Sequence, residues 1–161
     1  EPSISFKKLN PDKIYIWESG MESYPNKVKL GVQLTDLDTI IPNYKGKLYV
    51  RKLEGSDREI KRIFNPQSLS KIYEQANGKP YDCNIFDWLG AFCRTDIRPQ
   101  KTNRFWCSAF VGYIYTQLYI LSGKTDWSIL RPSDFSIQDK DEHLNYQTII
   151  KLEPRQYLLL G

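Results

Sequence analysis

The chain has three cysteines, Cys83, Cys93 and Cys107, and one histidine, His143. A thiol does chemistry as its thiolate, so each cysteine is judged by whether its surroundings favour negative charge or ordinary packing. Cys107 stands near the start of an apolar pattern running from Arg104 to Leu121, which Thr102 or Asn103 can cap and Ser122-Gly123 can end. At a helix N-terminus, unpaired N–H groups and the macrodipole stabilise an anion, and the same amides can hydrogen-bond a developing oxyanion. That makes Cys107 a candidate nucleophile. A second reading stays open: Cys107, Phe110, Val111, Ile114, Leu118 and Leu121 form one apolar stripe, and a buried free cysteine packs as a small hydrophobe. Cys83 and Cys93 lie in or beside a shorter apolar stretch without such a start signal, and core packing is expected of both.

Other side chains offer less. Tyr81 follows Pro80, and its hydroxyl suits donation to an oxyanion or a substrate carbonyl as well as its ring suits the wall of a core. Glu18 is a carboxylate at a strand end. His143 sits in the polar run Lys140-Asp141-Glu142-His143-Leu144-Asn145 and reads as a solvated loop residue rather than a base. An odd cysteine count without C-x-x-C spacing, with the histidine far away, gives no zinc ligand set, and neither metal nor cofactor is expected. Free thiols point to a reducing compartment such as the cytoplasm.

These residues need elements to hold them. A length of 161 residues, 40% hydrophobic and 14% aromatic, suits one α+β domain over 1–161. No apolar run reaches the roughly 18 residues of a transmembrane segment. The net charge of +4 arises from interleaved signs, and the basic residues Arg94, Arg98, Lys101 and Arg104 are too modest a cluster to predict nucleic acid as a partner. Ile14–Trp17, Lys29–Leu34 and Lys47–Leu53 read as strands, with a helical turn from Asp36 to Ile41 stopped by Pro42. Leu69, Ile72, Tyr73 and Ala76 fall at helical spacing within Pro66–Asn77, and Gly78 ends that helix. A short helix over Asn84–Phe92 and a loop over Arg94–Lys101 precede the Cys107 helix. A Pro132–Phe135 turn, a polar loop and strands over Thr148–Leu152 and Gln156–Leu160 follow it.

The segment Arg104-Phe105-Trp106-Cys107-Ser108-Ala109-Phe110-Val111 resembles the circularly permuted papain-like hydrolases, relatives of the NlpC amidases that include bacterial YiiX-like proteins and poxviral members. Tyr15-Ile16-Trp17-Glu18-Ser19, Gly31-Val32-Gln33-Leu34, Gly78-Lys79-Pro80-Tyr81 and Pro132-Ser133-Asp134-Phe135 are similar to further short segments of that family, in the same order. The resemblance implies a papain-like fold, with an antiparallel, partly barrel-like sheet packed against the long Cys107 helix. It implies a cysteine hydrolase with Cys107 as nucleophile, Glu18 orienting a histidine, Tyr81 beside the site, and peptide, amide or lipid-ester substrates. The family carries its histidine on a strand before the Trp-Glu-Ser segment, whereas Pro2-Ser3-Ile4-Ser5-Phe6 has none. Two expectations follow: the strand lies upstream of residue 1, or the domain is inactive and serves as a structural or binding component, for instance of a virion.

Overall fold

Tyr15–Tyr24 (β1), opened by the β-branched and aromatic run Tyr15-Ile16-Trp17, lies beside Lys27–Asp36 (β2), in which Val28, Leu30, Val32 and Leu34 alternate with polar residues or glycine. The two pair antiparallel over their full length, from Tyr15 against Asp36 to Tyr24 against Lys27. The computed structural model describes residues 9–24, 27–83, 93, 102–138 and 142–160. The expected helix over Asn84–Phe92 and the loop over Arg94–Lys101 therefore lie outside the described residues, Cys93 apart.

Asp36 ends β2 and caps the short helix Leu37–Ile40 (α1), its carboxylate accepting from the Asp38 N–H at 3.0 Å. The expected strand Lys47–Leu53 is divided. Leu48–Val50 (β3) pairs with Tyr157–Leu160 (β6), while Leu53–Glu54 (β4) pairs with Lys151–Leu152 (β5). Arg51 sits at the break and explains it: its guanidinium turns inward and donates to the carbonyls of Glu153, Phe135 and Ser136. Among the described residues the strands thus form three two-stranded antiparallel pairs, a correction to the single barrel-like sheet. The class remains mixed α+β.

Helix Asp57–Ile63 (α2) was not expected from periodicity, yet Ser56 and Glu59 form a reciprocal capping box at its start. Helix Pro66–Ala76 (α3) follows the sequence closely. Asn65 accepts from the Ser68 N–H at 2.9 Å, Pro66 occupies the first turn, and Gly78 (φ +73°) takes the left-handed conformation after the last turn.

The cysteine helix runs over Cys107–Gln117 (α4) instead of Arg104–Leu121. At its front, Phe105 is held extended, as described below. At its back, Tyr119 adopts a left-handed φ of 59°, and the Ile120 and Leu121 N–H groups both turn back to the Tyr115 carbonyl. The helix therefore ends before Tyr119, ahead of Ser122-Gly123. The core gathers on α4: Phe105 lies 5.4 Å from Phe110, 5.0 Å from Tyr113 and 5.6 Å from Trp127, and Trp17 of β1 meets Phe110 edge-on at 5.3 Å. Gly112 lets α4 press onto the 3₁₀ turn Trp127–Ile129, since a Cβ there would stand 2.6 Å from Leu130 Cδ1.

Candidate active site

The segment leading into α4 is fixed by backbone bonds. The Phe105 N–H donates to the Pro80 carbonyl at 3.2 Å, and the Phe105 carbonyl accepts from the Asp82 N–H at 3.0 Å, so that Phe105 and Tyr81 form a parallel bridge. The same carbonyl accepts from the Ser19 hydroxyl at 2.6 Å. One residue past the cysteine, the Ser108 hydroxyl donates to the Leu130 carbonyl at 2.7 Å. These bonds and the burial of Phe105, Trp106 and Ser108 clamp both sides of Cys107, which is itself exposed. Exposure removes the reading of Cys107 as a core hydrophobe.

Trp106, extended at φ −90° and ψ 170°, occupies the cap position without a side-chain cap, and Cys107 is the first helical residue. This moves the cap from Asn103 and puts the sulfur closer to the helix end than the sequence pattern indicated. The first α4 bond is the Phe110 N–H to the Trp106 carbonyl at 3.0 Å. Helix geometry therefore gives the N–H groups of Cys107, Ser108 and Ala109 no acceptor within the helix, and the positive end of the macrodipole lies at the cysteine.

The sequence segments set apart above meet here. Gly31 has φ +118°, and a Cβ on it would stand 2.2 Å from the Lys79 carbonyl oxygen. Only glycine admits that approach. It lets Val32 donate to the Lys79 carbonyl at 2.8 Å and accept from the Gly78 N–H at 3.1 Å. The Gly78–Tyr81 turn is thus seated on β2 and carries Tyr81 to Phe105. Burial, followed by the charges of Cys107, Cys83 and Asp82, pushes the Tyr81 hydroxyl above its ordinary value. The phenol stays protonated and available as a donor. Asp82 is buried with the Arg104 guanidinium 3.7 Å away, which holds the two strands of the bridge together by charge as well.

Glu18 is placed differently. Trp17 and Ser19 send their side chains toward α4, and strand alternation turns Glu18 to the opposite face of β1. There its carboxylate accepts from the Thr35 hydroxyl at 3.5 Å, across from the fully buried Gln33. Cys83 and Cys93 are exposed rather than packed in the core, a second correction. His143 lies in a turn with its side chain 40% exposed and Nδ1 3.8 Å from the Asp134 carboxylate. Asp134 is fully buried and accepts from the Arg131 N–H at 2.8 Å. Two residues beyond His143, the Asn145 carbonyl accepts from the Ser122 N–H beyond the far end of α4.

Ser19, Gly31 and Asp82 are the positioning residues that sequence reasoning passed over. A Gly-Val step inside a strand signals a close backbone approach in general, but nothing local identifies its partner. Among the described residues, no group of three His, Cys, Asp or Glu is arranged to hold a metal ion, and no helix is long and apolar enough to cross a membrane. No protein-family model, curated protein or solved structure matches the chain.

Proposed function

We propose that this domain is a cysteine hydrolase of papain-like arrangement, acting on amide or ester carbonyls through Cys107. The observation that carries the reading is the exposed Cys107 at the first position of α4, with buried, hydrogen-bonded neighbours on both sides and the protonated Tyr81 hydroxyl in its electrostatic surroundings. The Cys107 thiolate adds to the carbonyl carbon. The oxyanion takes hydrogen bonds from the first-turn N–H groups of α4 and from Tyr81. Collapse of the adduct expels the leaving group and leaves a thioester, which water or another acceptor then cleaves. The substrate classes that suit this chemistry are peptides, other amides and lipid esters.

Expulsion of an amine needs a proton, whereas a good phenolate leaves without one. The chain's one histidine stands beside Asp134. Activated esters are therefore the substrates of choice for a test. The lack of a histidine in Pro2-Ser3-Ile4-Ser5-Phe6 favours a second reading, in which the papain-like domain is inactive and serves as a structural or binding component, for example in a virion. Competitive alkylation by iodoacetamide near neutral pH, read by mass spectrometry, separates the two. All three thiols are exposed, so a rate difference reports thiolate fraction more than access. Cys107 should label first, at an unchanged rate in His143→Ala, and p-nitrophenyl esters should release a burst of phenolate that Cys107→Ala abolishes. Equal labelling of all three thiols without a burst would leave the structural reading.

A further inference from the structure

The β3–β6 ribbon carries apolar side chains into solvent on both of its faces. Tyr49 pairs with Leu158 and Val50 with Tyr157. Cross-strand partners share a face and successive residues alternate, so one pair lies on each side. Tyr49, Leu158 and Leu159 are 47%, 55% and 46% exposed, and among the described residues neither strand packs broadly on a third element. Exposed apolar residues grouped in this way mark a binding surface rather than scattered surface hydrophobes.

Charge identifies the occupant. Positions 43–54 and 149–161, the segments that contain the ribbon, hold Lys45, Lys47, Arg51, Lys52, Lys151 and Arg155 against Glu54 and Glu153. That excess equals the formal net charge of the whole chain, +4, and leaves the remainder neutral. Arg51 turns inward to backbone carbonyls; the other five cations are exposed. Lys52 lies over the Tyr157 ring, 4.9 Å from its centroid, which places an ammonium at the polar edge of the apolar surface.

We infer that this ribbon docks the protein peripherally on an anionic lipid bilayer. An apolar projection edged with lysine and tyrosine matches an interface where acyl chains give way to negatively charged headgroups. A protein partner would cover one flat face, whereas a bilayer surface takes up both sides of a narrow ribbon. A second copy would bring a segment with the same positive excess against this one, and like charges oppose that association. The inference is independent of Cys107 and survives if the hydrolase reading fails.

Co-sedimentation with phosphatidylcholine vesicles, with and without phosphatidylserine, tests it. The protein should sediment with the serine-containing vesicles at low salt and detach as salt rises. Lys47→Ala and Lys52→Ala should each weaken partitioning about fivefold. The exposed double change Leu158→Ser with Leu159→Ser should abolish it while leaving the circular dichroism and melting temperature unchanged, and Lys71→Ala on α3 should have no effect. Absence of binding to serine-containing vesicles would overturn the inference. Binding indifferent to the leucine changes and displaced by duplex DNA would replace lipid with a nucleic-acid polyanion. Concentration-dependent dimerisation abolished by the leucine changes, without vesicle binding, would replace it with a second copy.

Discussion

Tyr81 is the side chain whose contribution can be separated from that of Cys107. Burial and the neighbouring charges push its hydroxyl upward, so it remains a donor through neutral and mildly alkaline pH. Tyr81→Phe keeps the ring and deletes only the donor. If the hydroxyl stabilises the oxyanion, ester acylation of the protein should slow about 10²-fold, with alkylation of Cys107 by iodoacetamide nearly unchanged, because alkylation passes through no oxyanion. Stopped-flow measurement of the phenolate burst reads the first rate and mass spectrometry the second. Equal loss of both would make Tyr81 a wall residue that merely supports the segment before α4.

At the level of elements, the site depends on a relay from β2 through the Gly78–Tyr81 turn to Phe105 and α4. Its two glycines carry different loads. Gly31 combines φ +118° with a backbone oxygen 2.2 Å from the place of its missing Cβ, whereas Gly78 has φ +73° and open space within 4 Å. Gly78→Ala should cost about 1 kcal/mol, the conformational penalty alone. Gly31→Ala adds a collision that only displacement of the turn relieves, and should cost about 3 kcal/mol or more in denaturant unfolding. It should also erase the preference for alkylating Cys107 over Cys83. Similar costs for the two substitutions would mean that the turn is not anchored through Gly31.

For the molecule as a whole, alkaline stability is set by tyrosines. Tyr115 on α4 packs edge-on to Phe135 at 6.3 Å, joining the helix to the Pro132–Phe135 turn, and burial with the Tyr146 charge pushes its hydroxyl up to about 12. Below the ordinary value of about 10, folded and unfolded chains both hold this proton and its contribution is fully present. Between about 10 and 12 the unfolded chain ionises first. Stability is lost across that window, by about 3 kcal/mol for this residue. Tyr81, Tyr113 and Tyr157 are shifted in the same direction. Urea midpoints measured against pH should fall above pH ~10, and Tyr115→Phe should flatten the descent. An unaltered descent in that variant would assign the alkaline loss to other groups.

Much of this was written locally in the chain. Asn65-Pro66 and Asn77-Gly78 bracket α3, and Asp36 caps the turn after β2, because caps and breakers act within one turn of themselves; Pro42 does not stop that turn, which runs on through it as a 3₁₀ turn to Asn43. The candidacy of Cys107 followed from the same short-range logic. The limits of α4 did not, since Phe105 is held extended by Pro80, Asp82 and Ser19, and Tyr119 breaks the helix where the apolar pattern continues. Long-range bonds outweighed periodicity at the front, and a left-handed residue ended the helix at the back. Nor could local pattern say that β3 and β4 take different partners, that Glu18 faces away from the cysteine helix while Ser19 faces it, or that Cys107 would be exposed on an apolar stripe. Each depends on which segments meet across the chain: an alternating strand specifies two faces without specifying which one the core will cover, and only tertiary packing makes that choice.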